Sequence, residues 1–270
     1  MLARAIKMSF WVVYDHLGKL LLVNIFAAIM LAAPVVAASA VLARNSQGYA
    51  LIFAALLCVV PISVFLPLIQ AGLVWMIKVL IEKHDGGVAL FFVGMKRFGP
   101  RAAAIALLYL LLSACLLSSA WFYGIRMGAR VPLVGYGLSA IALWTQFFLL
   151  MTAPLALPAL IHKDQGVFAT MKLAALLTLD NPFMALGLLA HITVLTLLAI
   201  MPPVFVFCSV APIAALQGSA YELLSRKYAA IQAHKESGKD GKEKLVIDFG
   251  DDDDEYLCRG FRDLLFPWKD

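Results

Sequence analysis

The chain consists of long apolar blocks separated by short polar stretches, and the blocks do not alternate in polarity. An α-helix needs about 20 apolar residues to cross the roughly 30 Å hydrocarbon core of a bilayer. Pro202 and Pro203 divide the last long block into two passes, because proline interrupts the helical hydrogen-bond ladder. The pattern therefore predicts an all-α, polytopic membrane bundle of six transmembrane helices, at 20–43, 49–77, 102–123, 133–161, 183–201 and 203–224.

Composition supports this interpretation. Of the 270 residues, 63% are apolar and 14% are charged, whereas globular domains average about 45–50% and about 25%. A β-barrel would show ten-residue segments of alternating polarity, which are absent from the sequence. The first apolar block follows an amphipathic stretch and has no convincing cleavage site, so we expect Met1 to be retained.

Lys and Arg are distributed unevenly between the two sides of the predicted bundle. The three connections on one side hold only Arg44, Arg126 and Arg130, and the other 19 of the 22 Lys and Arg fall on the opposite side. Cytoplasmic loops carry the excess of Lys and Arg. Both termini are therefore predicted to be cytoplasmic. The membrane also accounts for the positive charge, so we expect no nucleic-acid partner.

Three segments of the sequence share one layout, beginning at Arg4, Gly87 and Gly166. Each has an amphipathic stretch with a basic residue, a break (Gly18, Gly99-Pro100 or Asn181-Pro182), and then a hydrophobic hairpin. The second and third are also preceded by similar turns, EKHDGG and HKDQG. The layout predicts three parallel repeats around an axis normal to the membrane, with interfacial helices that direct their basic residues at lipid phosphates. The alternative is that lipid-facing helices merely converge on similar composition. The basic residues of these predicted interfacial helices are Lys7, Lys96, Arg97 and Lys172.

The transmembrane domain is predicted to span 1–225, followed by a cytoplasmic tail at 226–270. The tail begins as a polar helical extension, continues through a charged linker at 238–244 and a possible short strand at 245–249, and then carries an acidic run at 251–255. Its last part approximates one apolar helical face, which predicts binding to a protein partner or to the membrane surface. A disordered tail is disfavoured because such tails contain few aromatic residues. The candidate partner-binding residues are Tyr256, Leu257, Phe261, Leu264, Leu265, Phe266 and Trp268.

Few polar side chains lie within the predicted spans, and none is a central carboxylate. Such groups are by default helix-packing residues, worth roughly 1 kcal/mol per interhelical hydrogen bond. If they converged instead on one wet cavity, they would favour a transporter. The candidate cavity residues are Asn24, Gln70, Gln146, His191 and Gln217.

Catalytic and metal-binding signals are weak. Ser139 lies in a GLSA segment that resembles the GxSx element of rhomboid intramembrane proteases, and Ala190-His191 resembles half of their His motif. The large first loop and the Gly after the His motif of that family are absent, so helix packing by small residues is the preferred interpretation. No CxxC pair or metal-ligand spacing of His is present. We expect no enzyme activity, metal or cofactor.

Four segments resemble the YesL-like family of bacterial membrane proteins, a domain of unknown function. They are FWVVYDHLGKLLLVNIFAAIMLAAPVVAASA, GLVWMIKVLIEKHDGG, FFVGMKRFG and MKLAALLTLDNPFMALGLL, within 5–225. The Trp that usually follows the Asn of the first helix is absent, since Ile25 follows Asn24. The resemblance implies a bacterial inner-membrane protein, and for some members a permease-like component linked to sugar uptake. It defines no functional residues.

Two functions remain open at this level. The first is a non-enzymatic membrane subunit or scaffold, in the bilayer and in contact with other subunits or further copies of itself, that binds partners through its cytoplasmic face and tail. The second is a transporter or permease component for a small solute such as a carbohydrate.

Overall fold

The structure, a computed structural model, describes residues 1–44, 48–199, 201, 210–236, 254–260 and 263. All regular secondary structure in these residues is helical, so the all-α prediction is confirmed. A π-helical turn, Phe122–Met127, extends the fourth helix. The helices are α1 (Leu2–Asp15), α2 (Leu17–Arg44), α3 (Gly48–Lys83), α4 (Ala89–Trp121), α5 (Pro132–Lys163), α6 (Val167–Asp180), α7 (Pro182–Leu198) and α8 (Val210–Glu236).

Four of these helices are long and apolar enough to cross a membrane: α2, α3, α4 with its π-helical turn, and α5. They contain the first four predicted spans. Helices α6 and α7 form a pair bent by 108°, which counts as a fifth candidate span. The sixth predicted span overlaps α8, but 202–209 lie outside the described residues. The chain is thus a multi-pass membrane protein, with four or five candidate spans among its described residues.

The described helices pack in pairs, each with a first arm (α2, α4 or α7) and a second arm (α3, α5 or α8), and we call each pair a hairpin. We call the end of the bundle that holds the connections 84–88 and 164–166 the base, and the opposite end the far end. The three second arms contact one another and form the centre of the bundle. The first arms pack around this centre.

Each hairpin is preceded by an approach segment: α1, the N-terminal part of α4, or α6. Helix α1 packs chiefly against α8, α6 chiefly against α5, and α4 against α3. Each approach segment therefore lies on the second arm of the preceding hairpin, and α1 on α8 closes the ring.

The prediction of a break at Gly99-Pro100 is wrong, because α4 runs through Pro100 without interruption. Close packing on α3 explains this difference. A Cβ added at Gly94 would lie 2.5 Å from the Cβ of Trp75, so the two helices are in near backbone contact there. Proline is tolerated within membrane helices because neighbouring helices support the interrupted ladder. The break predicted at Gly18 lies two residues earlier, at His16 between α1 and α2, whereas the break predicted at Asn181 is present between α6 and α7.

Burial is concentrated near the base. The second half of α3 is almost continuously buried, from Ile69 to Ile81, while its first half exposes large side chains such as Leu51 and Leu56. Helix α5 shows the same pattern, with buried residues gathered between Met151 and Ile161. The bundle is therefore tightly packed at the base and presents a largely apolar surface toward the far end.

Candidate functional site

The arms of the first hairpin are joined at the base by an ion pair. Lys19, at the start of α2, lies with its Nζ 3.4 Å from Oδ1 of Asp85, just beyond α3. The N–H of Gly86 donates to the same oxygen at 2.7 Å. This N–H, followed by the Lys19 ammonium, holds the pKa of Asp85 below its usual range. Asp85 is therefore a carboxylate at neutral pH.

The second hairpin is joined at the equivalent place by a stronger contact. Arg97 and Arg101 of α4 each donate to one oxygen of Asp164, both at 2.6 Å. Arg101 also donates to the carbonyl of Gln165 at 3.2 Å. The Arg101 and Arg97 guanidinium groups hold the pKa of Asp164 below its usual range. Charge-assisted bonds of this kind are the stronger class of hydrogen bond.

In the third hairpin the cation comes from the second arm, and it bonds to a neutral amide instead of a carboxylate. Lys227 of α8 donates to Oδ1 of Asn181, at the bend between α6 and α7. Tyr228 donates to Asp180 at 3.1 Å and accepts from Nδ2 of Asn181 at 2.8 Å. Each hairpin thus has a polar contact between its arms at the base, which we call a base tie.

Each base tie involves a residue at or beside the break that the sequence predicts. Lys19 follows Gly18, Arg101 follows Pro100, and Asn181 is itself the break residue. The ties therefore correspond at their break positions, whereas on the second-arm side Asp85 and Asp164 follow their helices and Lys227 lies within α8. This correspondence is independent of the apolar sequence similarity between them.

A short segment of the tail, residues 254–260, docks against the base, and we call it the clasp. The side chain of Tyr256 is 1% exposed and that of Leu257 is 4% exposed. The Tyr256 hydroxyl lies 3.4 Å from the carbonyl oxygen of Leu80, 3.3 Å from Nδ1 of His84 and 3.5 Å from Nε2 of His16. Burial, followed by the nearby Glu255, raises the pKa of Tyr256 to about 12. Tyr256 is therefore a neutral hydrogen-bonding anchor.

Three contacts between basic and acidic side chains surround this anchor. Asp254 pairs with Arg226 of α8 at 2.7 Å. Arg259 pairs with Asp15 at the end of α1, at 2.6 Å. The remaining contact joins Glu255 to His84, with Oε2 and Nδ1 3.0 Å apart. The clasp is thus held by charge as well as by apolar burial.

The clasp also binds α1 through its backbone. Lys7 donates to the carbonyl oxygen of Leu257, and the Arg259 guanidinium lies 5.5 Å from the centre of the Trp11 ring. A groove of about 450 Å³ runs beside this contact, with Ile6 and Phe10 in its walls. The docked clasp is therefore integrated with the N-terminal amphipathic helix.

The clasp lies at the one seam of the ring that no short connection crosses. Residues 84–88 join α3 to α4, and 164–166 join α5 to α6. The contact between α8 and α1 brings together the two ends of the helical domain, so no short connection joins these two helices. The clasp contacts α1, α3 and α8 across this seam.

The candidate tail residues divide into two groups. Tyr256 and Leu257 are buried in the core of their own chain, so in this arrangement neither is available to another protein. The sequence pattern also placed them on a helix, whereas 254–258 form a turn. Outside the described residues lie Phe261, Leu264, Leu265, Phe266 and Trp268, as well as the linker at 238–244 and the strand predicted at 245–249.

Three of the five candidate cavity residues are used in separate contacts. Asn24 accepts a hydrogen bond from the N–H of Ala211 at 3.0 Å, which joins α2 to α8. Gln146 donates to Ser113 at 3.1 Å, which joins α5 to α4. His191 is exposed on α7, and its Nδ1 lies 2.9 Å from a carbonyl oxygen of its own helix. These three residues do not form one polar cluster.

The glutamines show a different feature. Gln70, Gln146 and Gln217 are each 8% exposed, and each comes from a different second arm. In each, the side-chain Oε1 is buried and has no hydrogen-bond partner among the described residues. Buried polar atoms normally find a protein or water partner. The interior of the bundle therefore retains three acceptors able to bind water or a solute hydroxyl.

Ser139 and His191 form their hydrogen bonds with different partners. The Ser139 hydroxyl donates to the carbonyl of Ala120 at 2.9 Å, joining the two arms of the second hairpin near the far end. His191 bonds within α7. No hydrogen bond joins these two described residues.

Sequence reasoning identified Tyr256, Leu257 and the basic residues of the approach segments, but it missed the other residues that make the base ties and the clasp contacts. Asp85 and Asp164 fall within the two similar turns, EKHDGG and HKDQG. That similarity was the available signal, because in each turn an acidic residue lies one or two positions beyond the end of a second arm. Nothing in the sequence pairs Asp254 with Arg226, since the two belong to different segments.

No protein-family model matches the chain, and neither a curated protein nor a solved structure is significantly similar to it. The resemblance to the YesL-like family therefore stays a prediction.

Proposed function

We propose that the chain is a non-enzymatic membrane scaffold that binds protein partners at its base. In this proposal it crosses a bacterial inner membrane six times as three hairpin repeats, with the base and both termini in the cytoplasm. The observation that supports this proposal is the set of three base ties together with the docked clasp. Charged and hydrogen-bonding groups concentrate there in defined geometry.

The distribution of charge supports the orientation. Arg44, Arg126 and Arg130 belong to the connections at the far end, whereas the cations of the base ties and their neighbours lie at the opposite end. Short loops rich in Lys and Arg remain in the cytoplasm. The base is therefore assigned to the cytoplasmic side.

The use of polar groups in the spans supports a scaffold. Asn24 and Gln146 connect helices to one another, as expected of residues that stabilise packing in lipid. Exposed side chains suited to partner contact lie on the base, among them Lys96, Lys172 and Gln232 on three different elements. Such a surface offers a partner both charge and fixed geometry.

Site-specific photo-cross-linking in intact cells tests this proposal. The photoreactive residue is placed at Lys96, Lys172 or Gln232, and at Leu56 and Val60 as matched controls exposed on the first half of α3. We expect discrete protein adducts from the base positions and only lipid adducts from the controls. Adducts from the controls alone, or from no position, would refute the scaffold.

The three unpartnered glutamine oxygens favour a second candidate, a permease component for a polar solute such as a carbohydrate. In that case Gln70, Gln146 and Gln217 would line a wet path between the second arms. Single cysteines at these positions would then react with a membrane-impermeant thiol reagent, and the solute would slow the reaction. Protection from the reagent at all three positions would exclude this candidate.

A further inference from the structure

The notch that receives Tyr256 has the properties of a peptide-binding site. Its walls come from α1, α3 and α8, and they include the Leu80 carbonyl and the His16 ring, both within 3.5 Å of the Tyr256 hydroxyl. Arg226 forms an ion pair with Asp254, which lies two positions before Tyr256. The notch thus recognises an aromatic hydroxyl and a nearby carboxylate.

We propose that this notch binds acidic segments with a Tyr-Leu pair in protein partners, and that the clasp is its tethered occupant. The proposal rests on the scaffold function and names the chemistry of one partner. A partner segment would follow the order found in 254–257: a carboxylate for Arg226, a second acidic residue, then Tyr and Leu. It would bind where the clasp is bound, so the two exclude each other.

The length of the connection to the clasp allows such exchange. Residues 237–253 supply 17 residues between α8 and the clasp, which could reach about 58 Å when extended. Arg226, which pairs with Asp254, lies only ten residues before the last residue of α8. This separation is about 15 Å along a helix. The connection is several times longer than docking requires, so it does not force the clasp to remain in its own notch.

The contacts of the clasp also suit a reversible occupant. Only Tyr256 and Leu257 are buried, and the surrounding pairs are partly exposed, as for Arg259 and Glu255. Partly exposed ion pairs contribute little each. A tether nevertheless keeps the occupant at an effective concentration in the millimolar range. A partner gains access by binding more tightly than the clasp, or when the clasp is weakened.

A labelled peptide of residues 251–263, with Cys258→Ser to prevent oxidation, provides the probe. The receptor is the full chain in lipid nanodiscs, either wild type or with Tyr256→Ala and Leu257→Ala to empty the notch. Fluorescence anisotropy should show at least tenfold tighter binding to the emptied receptor. A control peptide with Tyr256→Ala should lose at least tenfold in affinity, and Arg226→Gln in the emptied receptor should also weaken binding.

A second format keeps the native clasp in place. A protease site is inserted between Gly238 and Lys239, and the linker is cut after purification. Excess unlabelled peptide should then displace the severed tail within the time of a gel-filtration run. Equal binding to wild-type and emptied receptors, equal binding of the Tyr256→Ala peptide, or a tail that stays bound against excess peptide would each overturn the proposal. Loss of the base cross-links would instead refute the scaffold itself.

Discussion

The base half and the far half of the bundle use similar apolar sequence in different ways. In the base half, Leu155 is 0% exposed and Gly94 lets two helices approach to near backbone contact. Toward the far end, Leu56 is 56% exposed, and a Cβ at Gly137 would meet nothing within 4 Å. In lipid, exposed apolar surface needs no protein partner, so helix association depends on close packing and polar contacts. The specificity of this fold therefore resides in the base half.

The largest expected difference comes from the same substitution in the two halves. Leu155→Ala should lower the free energy of unfolding by about 2 to 4 kcal/mol, because it leaves a cavity between second arms. Leu56→Ala should change it by less than about 0.5 kcal/mol, because its side chain faces outward. Denaturation in mixed detergent micelles measures both. Equal losses would show that the halves do not differ in packing.

Glycine substitutions give the next largest difference. Gly94→Ala should lower the free energy of unfolding by about 1 to 3 kcal/mol, since the new methyl group would press on Trp75 and separate α3 from α4. Gly137→Ala is the matched control and should be neutral or slightly stabilising, because Ala favours a helix over Gly. The same denaturation measurement applies. A neutral Gly94→Ala would disprove the close approach of α3 and α4.

The base ties should contribute less than this packing. Replacing both Arg97 and Arg101 by Gln removes the charge from the bonds to Asp164 and should destabilise the base by less than Gly94→Ala does. Because the pair is exposed, raising the salt concentration should weaken the wild type more than the double variant. Thermal unfolding at low and high salt measures this. An identical salt response in both proteins would show that the tie is not electrostatic.

The smallest expected effect is a pH dependence at the clasp. Burial, followed by the nearby Lys19, lowers the pKa of His16 below 6.5, while Asp15, Asp85 and Glu255 oppose this shift. The unfolded chain therefore binds the proton more readily, and His16 lowers stability as the pH falls below about 6.5. The loss should be less than about 1 kcal/mol, because the ring is partly exposed.

The His16 effect is best measured in a His84→Gln background, since His84 contacts both Glu255 and Tyr256 of the same clasp. Unfolding at pH 7.5 and pH 5.5 is compared with and without His16→Gln. The second variant should lose less stability on acidification. If both respond equally, another group is responsible for the pH dependence.

Much of the fold could be predicted because helix position depends on local properties. The apolar blocks placed α2, α3, α4 and α5 correctly, since each must satisfy its own backbone in lipid and its length matches the bilayer. The prediction of a break at Gly99-Pro100 failed for a nonlocal reason. Whether a proline ends a helix in a membrane depends on the helix beside it, and here α3 supports α4.

The candidate site was less predictable. The apolar character of Tyr256 and Leu257 marked the tail as a binding element, but their partner is the base of the same chain. Likewise, the polar residues of the spans could be found by type, but Asn24 and Gln146 join different helix pairs. Residue type indicates that a group needs a partner and does not say which one.

The sequence by itself thus determined that this is an all-α membrane protein and where its four long apolar helices lie. These properties follow from hydrophobicity and length, which act locally. Only the tertiary structure decided that the second arms form the centre, that Asp164 joins α4 to α5, and that the clasp closes the seam between α8 and α1. Those contacts join residues from about 30 to 250 positions apart, and their energies depend on geometry that no local pattern encodes.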